Sequence, residues 1–201
     1  QRGVTNSSNN SGNSSGGGGG TYVIKSPYNN TSSILVIAGG GGGEGDSQGC
    51  STENRSGVGG GTTNDGLAGN GTRCGPATIG TNGNGATHPS QCNTGCSGGA
   101  GFSGNSVEYG GWGGSAYSFT NGGQGANQRR TNYGADGGFG GGGAGAYGGG
   151  GGGGYSGGGT GDFTYPCNAL GGGGGGYYNS GSNVSNTANN RAGHGQVIIN
   201  L

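Results

Sequence analysis

Glycine recurs at every third position along the middle of this chain, and that phase constrains the fold more than any other feature. Between Gly98 and Gly161, 15 of the 22 positions in this phase are glycine. A three-residue period matches the polyproline-II-type helix, which has about 3 residues per turn and no internal hydrogen bonds. Its N–H and C=O groups must therefore bond to neighbouring segments or to water. We predict a bundle of polyglycine-II helices, centred on the runs 140–143, 148–154 and 171–176.

Composition removes the ordinary alternatives. Glycine accounts for 65 of 201 residues, hydrophobic residues for 25% and charged residues for 7%. This leaves too little apolar area for a conventional core, and glycine opposes α-helices. Seven cations balance seven anions, so no polybasic nucleic-acid surface is expected, and no apolar run is long enough to span a membrane. Disorder is the remaining alternative, but five cysteines and ten tyrosines favour order.

Three segments have strand character: 21–25 and 34–38, joined by a turn with Pro27 and Asn29, and 196–201. We predict that they form one small sheet. The continuous apolar run 34–38 predicts a strand buried on both faces. The Ser/Asn-rich stretch 1–15 indicates a flexible arm, and 16–201 a single glycine-rich domain. The fold class is thus mainly irregular/β.

Several features indicate an extracellular, mature protein. The chain starts at Gln1 and contains no methionine, which is typical of a chain processed by signal-peptide removal. Five cysteines suit an oxidising compartment. Candidate N-glycosylation sites are Asn6, Asn13, Asn29, Asn30, Asn54, Asn70 and Asn183.

The odd number of cysteines allows at most two disulfides within the chain. Cys50, Cys74, Cys92 and Cys96 are the disulfide candidates, and pairing of Cys50 with Cys74 and of Cys92 with Cys96 closes the shortest loops. The connectivity stays open. Cys167 would then be either a buried thiol or an intersubunit cysteine.

No catalytic, cofactor or metal site is expected. The spacing of His88, Cys92 and Cys96 could suit zinc, but Pro89 opposes the helix that would align them. The nucleophile-elbow pattern at 154–158 is a chance match in a chain this rich in glycine. We therefore predict that the protein is not an enzyme. Four tyrosines interrupt glycine runs, where they either cover helix ends or form a carbohydrate-binding surface: Tyr147, Tyr155, Tyr177 and Tyr178.

Four ordered blocks carry a resemblance to a known family. They are 16–25 with 34–42, then 110–125, then 137–143 with 148–158, and finally Gly193-His-Gly-Gln-Val-Ile-Ile199. In these blocks the chain resembles the glycine-rich extracellular domain of the anaplastic lymphoma kinase and leukocyte tyrosine kinase receptors. The resemblance implies polyglycine helices joined to a jelly-roll-like sheet. The sequence contains neither a membrane span nor a kinase domain, so the resemblance does not imply receptor signalling.

These features predict a secreted structural glycoprotein, a subunit of an extracellular fibre, appendage or matrix. Its partners would be filament neighbours or other copies of itself, joined by strand sharing and by an intersubunit disulfide, together with N-linked glycans. The alternative is an extracellular binding module, either a receptor-type ectodomain fragment or an adhesin that recognises protein or glycan.

Overall fold

The structure is a computed structural model. It describes residues 14–46, 54–71, 78–87, 95–107, 111–129, 134–164 and 168–193, together with 196 and 198. Within these residues the fold is mostly non-helical, and its regular elements are short. The strands are β1 (Thr21–Ile24), β2 (Ile34–Ala38), β3 (Phe163–Thr164), β4 (Asn168–Ala169) and β5 (Tyr178–Asn179). Two short 3-10 helices span Thr31–Ser33 and Phe119–Asn121.

A three-stranded antiparallel sheet has the order β1-β2-β5, and β3 pairs with β4 separately. In the hairpin, Thr21 lies opposite Ala38 and Val23 opposite Val36, with a register shift between Val23 and Ile24. The two predicted hairpin strands are confirmed, because alternating β-branched and aromatic residues fit a pleated, half-buried surface.

The prediction that 196–201 supplies the third strand is wrong for Gln196 and Ile198, the two residues of this segment that the structure describes. Gln196 and Ile198 lie in no strand, and β5 occupies the position beside β2. The chain leaves the buried run 170–176 directly into β5, and the Tyr178 ring lies 4.8 Å from the Tyr155 ring. This aromatic contact stabilises a two-residue strand that has no hydrophobic pattern of its own.

The prediction that β2 is buried on both faces is also wrong. Ile34 and Ile37 are buried, but the Leu35 side chain is 44% exposed. One face of the sheet packs on Phe102 and Tyr155, forming the small side-chain core of the molecule. The other face lies in contact with solvent because no described segment covers Leu35.

Glycine backbone fills the interior between these elements. The runs 140–143, 148–154 and 170–176 are buried, as expected for the centre of the domain. In the central run, residues 149–154, successive backbone N–H groups donate to different neighbouring segments, and every third N–H group donates to the same segment. The N–H groups of positions 149 and 152 donate to 170–173, those of 150 and 153 to 15–18, and those of 151 and 154 to 97–100.

Carbonyl groups of the same run bond to other neighbours. They accept from 40–43, from 158–161 and from Gly143. Six segments therefore contact the run through backbone hydrogen bonds, with donor–acceptor distances between 2.8 and 3.3 Å. The hydrogen bonds that a β-sheet makes in one plane are here directed to all sides.

Glycine is required in this run because backbones approach too closely for a side chain. A Cβ atom built on any residue from 149 to 154 would lie well under 3.0 Å from a backbone carbonyl of another segment. Where segments lie slightly farther apart, methyl groups fill the space. Ala100, Ala116, Ala126 and Ala144 form such a buried cluster.

Candidate assembly surface

The interior offers few functional side chains, so the candidate functional features lie at the surface and at the sheet. A backbone core buries N–H and C=O groups in mutual hydrogen bonds and leaves them unavailable to a ligand. The candidate functional features are therefore the sheet edge, the sequons, the cysteines and the tyrosines.

One edge of the sheet is open in the part of the chain that the structure describes. There, only β2 forms backbone hydrogen bonds to β1. The opposite edge strand, β5, is two residues long, and Ser180 extends its contact by donating to the Leu35 carbonyl at 3.1 Å. Unpaired strand edges are templates for pairing with another chain. The edge of β1 is therefore the longest available site for strand addition within the described residues.

Cys96 is the only cysteine candidate among the described residues. Its side chain is fully buried between glycine segments, and its Sγ lies 3.4 Å from the Gly161 carbonyl oxygen. Such a thiol is inaccessible to a second chain. Cys50, Cys74, Cys92 and Cys167 lie outside the described residues, so the disulfide framework and the intersubunit bond stay predictions.

Five of the predicted glycosylation sites fall within the described residues. Asn29, Asn30, Asn54 and Asn183 are exposed, whereas Asn70 is half-buried. Asn6 and Asn13 lie outside the described residues.

The four tyrosines at glycine runs are held by contacts within the chain. Tyr155 is only 9% exposed and packs beside Tyr178 in the core that joins the sheet to the glycine segments. Tyr177 accepts a hydrogen bond from Asn186 at 2.7 Å. Tyr147 has a left-handed φ of 61° and lies 5.5 Å, ring to ring, from Trp112. The contacts of these tyrosines within the chain favour packing over ligand binding, most clearly for the buried Tyr155.

A fifth tyrosine, which the glycine pattern did not single out, connects β1 to the glycine segments. The Tyr22 hydroxyl lies 3.2 Å from the Gly140 carbonyl and 3.1 Å from the Gly154 carbonyl. Burial raises the pKa of Tyr22, because the phenolate would lose its hydration. Burial also raises the pKa of Tyr155, with further contributions from Tyr178 and Asp65. Sequence reasoning missed Tyr22 because a tyrosine in an alternating strand has no pattern that distinguishes a buried hydroxyl from an exposed one.

Large apolar side chains are exposed at several separate places. The most exposed is Phe139, at 83%, in a turn between two glycine segments. Ile198 is 73% exposed and Tyr28 61% exposed. The sequence indicated that Phe139 could lie at a turn only through the position of this residue within a glycine run.

Neither a metal site nor a membrane-spanning helix has a candidate in the described part of the chain. No group of three or more His, Cys, Asp or Glu side chains is arranged there to hold a metal ion. Across the same residues, no helix has the length and apolar character needed to cross a bilayer.

Comparison with known proteins leaves the geometry as the main guide to function. No protein-family model matches the chain, and no significantly similar curated protein was found. The resemblance to the receptor glycine-rich domain therefore contributes to a proposal and does not assign a family.

Proposed function

We propose that this protein is a secreted structural glycoprotein, a subunit of an extracellular fibre, appendage or matrix, built around a bundle of polyglycine-II helices. The observation that carries the proposal is the central run 149–154, whose backbone bonds to six surrounding segments with a donor period of three. A polyglycine-II helix has this period. Such a body is stiff and has few side chains for chemistry, so the proposal includes no catalytic activity.

Exposure along one outer segment supports the same helix type. In 65–71, the exposed residues are Asp65, Ala68 and Gly71, three positions apart. A β-strand would alternate with a period of two and an α-helix with a period near 3.6. A period of three favours polyglycine-II geometry at the surface as well as in the interior.

Assembly through shared strands follows from the open edge of β1. The segment 196–201 has strand character, yet Gln196 and Ile198 belong to no strand of the part of the chain that the structure describes. The 73% exposure of Ile198 leaves an apolar side chain available to a neighbour. We propose that this segment adds to the β1 edge of the next copy, and that Cys167 forms a disulfide across the contact.

The extracellular location rests on the cysteines and sequons, and the resemblance to the receptor domain agrees with it. Exposure of Asn29, Asn54 and Asn183 is compatible with glycans at these positions. The proposed partners are neighbouring copies of the chain and N-linked glycans.

An extracellular binding module is the second candidate. The observation that favours it is Phe139, because an 83% exposed ring in a turn is typical of a side chain that enters a partner's pocket. This module would be a discrete particle that binds a protein or glycan with saturation.

Electron microscopy and sedimentation of the purified chain distinguish the two candidates. The structural proposal expects filaments or a concentration-dependent series of oligomers, with a covalent dimer on a non-reducing gel that the change Cys167→Ser removes. A chain that stays monomeric at high concentration, with or without reductant, would refute it.

A pair of substitutions tests the strand contact itself. Ile198→Asp places a charge on the proposed contact and should abolish assembly without lowering the melting temperature, because the side chain is exposed. Val107→Asp is the matched control, since Val107 is 51% exposed and lies away from the sheet strands. Equal assembly by the two variants would argue against 196–201 as the donated strand.

A further inference from the structure

The described sequons differ in what their carboxamide groups do, and this difference separates modification sites from structural asparagines. Addition of an N-linked glycan joins the asparagine Nδ2 to the anomeric carbon of an oligosaccharide carried on a lipid pyrophosphate. The bond between sugar and pyrophosphate breaks, the lipid pyrophosphate leaves, and Nδ2 gives up one proton. The product is a bulky group that the folded surface must accommodate.

Asn30 uses its carboxamide to begin the 3-10 helix Thr31–Ser33. Its Oδ1 accepts from the Ser33 N–H at 3.2 Å and from the Ser32 hydroxyl at 2.6 Å. This cap uses Oδ1 alone and gives Nδ2, the atom that carries a glycan, no role in the turn, so it does not oppose modification of Asn30.

Asn70 uses its carboxamide to join two glycine segments. Its Nδ2 donates to the Ser56 carbonyl at 2.8 Å, and its backbone N–H donates to Gly171. The residue is half-buried. A glycan on Nδ2 would crowd the Ser56 carbonyl and thereby disturb the contact between the two segments.

The carboxamides of Asn29, Asn54 and Asn183 have no such role. All three residues are exposed, and their side chains make no hydrogen bond within the described part of the chain. Asn183 has a left-handed φ of 57° in the stretch 180–193, every residue of which is exposed. Glycosylation acceptors typically lie in surface loops of this kind.

From these contacts we infer that Asn29, Asn54 and Asn183 carry N-linked glycans and that Asn70 does not. The inference rests on the proposed function, because N-glycosylation requires entry into the secretory pathway. It goes further by naming the modified residues.

Two of these glycans have a physical consequence at the sheet. Asn29 directly follows Tyr28, which is 61% exposed, and Asn183 directly precedes Val184, which is 43% exposed. The stretch that bears Asn183 begins beside β2, where Ser180 donates to Leu35. Glycans at Asn29 and Asn183 would therefore shield the exposed apolar side chains next to them in sequence, at the turn between β1 and β2 and in the stretch that follows β5.

Secretion from a eukaryotic cell line followed by amidase treatment in heavy-oxygen water tests the inference. The amidase converts each glycosylated asparagine to a labelled aspartate, which peptide mass spectrometry locates. We expect the label at Asn29, Asn54 and Asn183 and none at Asn70. Label at Asn70, or its loss from Asn183, would overturn the inference while leaving the structural proposal standing.

Matched variants make the assignment independent of peptide recovery. Ser185→Ala keeps Asn183 but destroys its sequon, so the intact mass should decrease by one glycan. Asn70→Gln should leave the number of glycans unchanged. A secreted chain with no glycan at any sequon would overturn both the inference and the glycoprotein part of the proposed function.

Discussion

Replacement of Gly152 by alanine is the sharpest test of a core made of backbone. The Gly152 N–H donates to the Gly173 carbonyl at 2.8 Å. A Cβ atom here would meet the carbonyl oxygen of Gly40, with the Gly40 carbonyl carbon and the Gly175 nitrogen each at 2.8 Å. All three are backbone atoms of neighbouring segments, so no side chain can rotate away.

The magnitude follows from the hydrogen bonds that must lengthen. Carbon atoms pack at about 3.5–4.0 Å, so the neighbouring segments would have to retreat by about 1 Å. Three bonds of 2.8 Å join these segments: Gly152 to Gly173, Gly40 to Gly153, and Gly175 to Gly40. Each contributes about 1 kcal/mol net, and strain in an overpacked core adds about 1–3 kcal/mol. We expect a loss of about 4–6 kcal/mol in the free energy of unfolding, or about 10–20 °C in melting temperature.

Gly41→Ala is the matched control, because it places the same methyl group in an adjacent segment. A Cβ there would have only ordinary contacts, 3.7 Å to the Gly59 Cα and 3.7 Å to the Val58 carbonyl oxygen. Alanine restricts the unfolded chain more than glycine does, so this variant should be unchanged or stabilised by up to about 1 kcal/mol. Thermal unfolding followed by circular dichroism or calorimetry compares the two. Melting temperatures within 2–3 °C of each other, on the order expected for less than 1 kcal/mol, would refute the reasoning.

Three further predictions concern side chains that the glycine pattern does not include. Tyr22→Phe removes the hydroxyl beside Gly140 and Gly154 and should cost about 1 kcal/mol in chemical denaturation. Because burial raises the pKa of Tyr22, this tyrosine ionises more readily in the unfolded chain than in the folded one. The fold therefore keeps its full stability below the ordinary tyrosine pKa of about 10 and loses stability as the pH rises above that value. Alkaline titration followed at 295 nm should therefore show a late-ionising tyrosine that Tyr22→Phe removes, and a titration without it would contradict the burial. Phe102→Ala opens the core beneath the sheet, where Phe102 is only 2% exposed, and should cost about 3–5 kcal/mol by thermal unfolding; a change below about 1 kcal/mol would mean that the sheet does not depend on this ring. Asn82 has a left-handed φ of 53°, so Asn82→Ala should lower stability by about 1 kcal/mol while Asn82→Gly should not, and equal melting temperatures for the two variants would contradict that backbone conformation.

The hairpin and the buried glycine runs could be read from the sequence because their signals are local. Alternating apolar residues at 21–24 and 34–38 predict pleated strands, and unbroken glycine predicts segments that can be surrounded on all sides. The third strand could not be predicted in this way. Tyr178 and Asn179 form a strand because Tyr178 meets Tyr155 and because the chain arrives beside β2, and both conditions are contacts distant in sequence.

The candidate sites divide in the same way. The sequence marks every sequon alike, since the motif is three residues long. Only the structure distinguishes Asn70, whose amide joins two segments, from Asn183, whose side chain lies in an exposed stretch. The sequence likewise gives Cys96 as one of several equivalent cysteines, and the structure buries it against Gly161.

By itself the sequence determined that the core of this protein is mainly backbone, because 65 of its 201 residues are glycine and only 25% are hydrophobic. It could not determine which segment lies beside which, since one glycine segment is chemically identical to the next. The tertiary structure decided that arrangement. The side chains that break the glycine runs, such as Tyr155, Phe102 and the small alanines, fit only where neighbouring backbones leave space, and they thereby set which segments become neighbours.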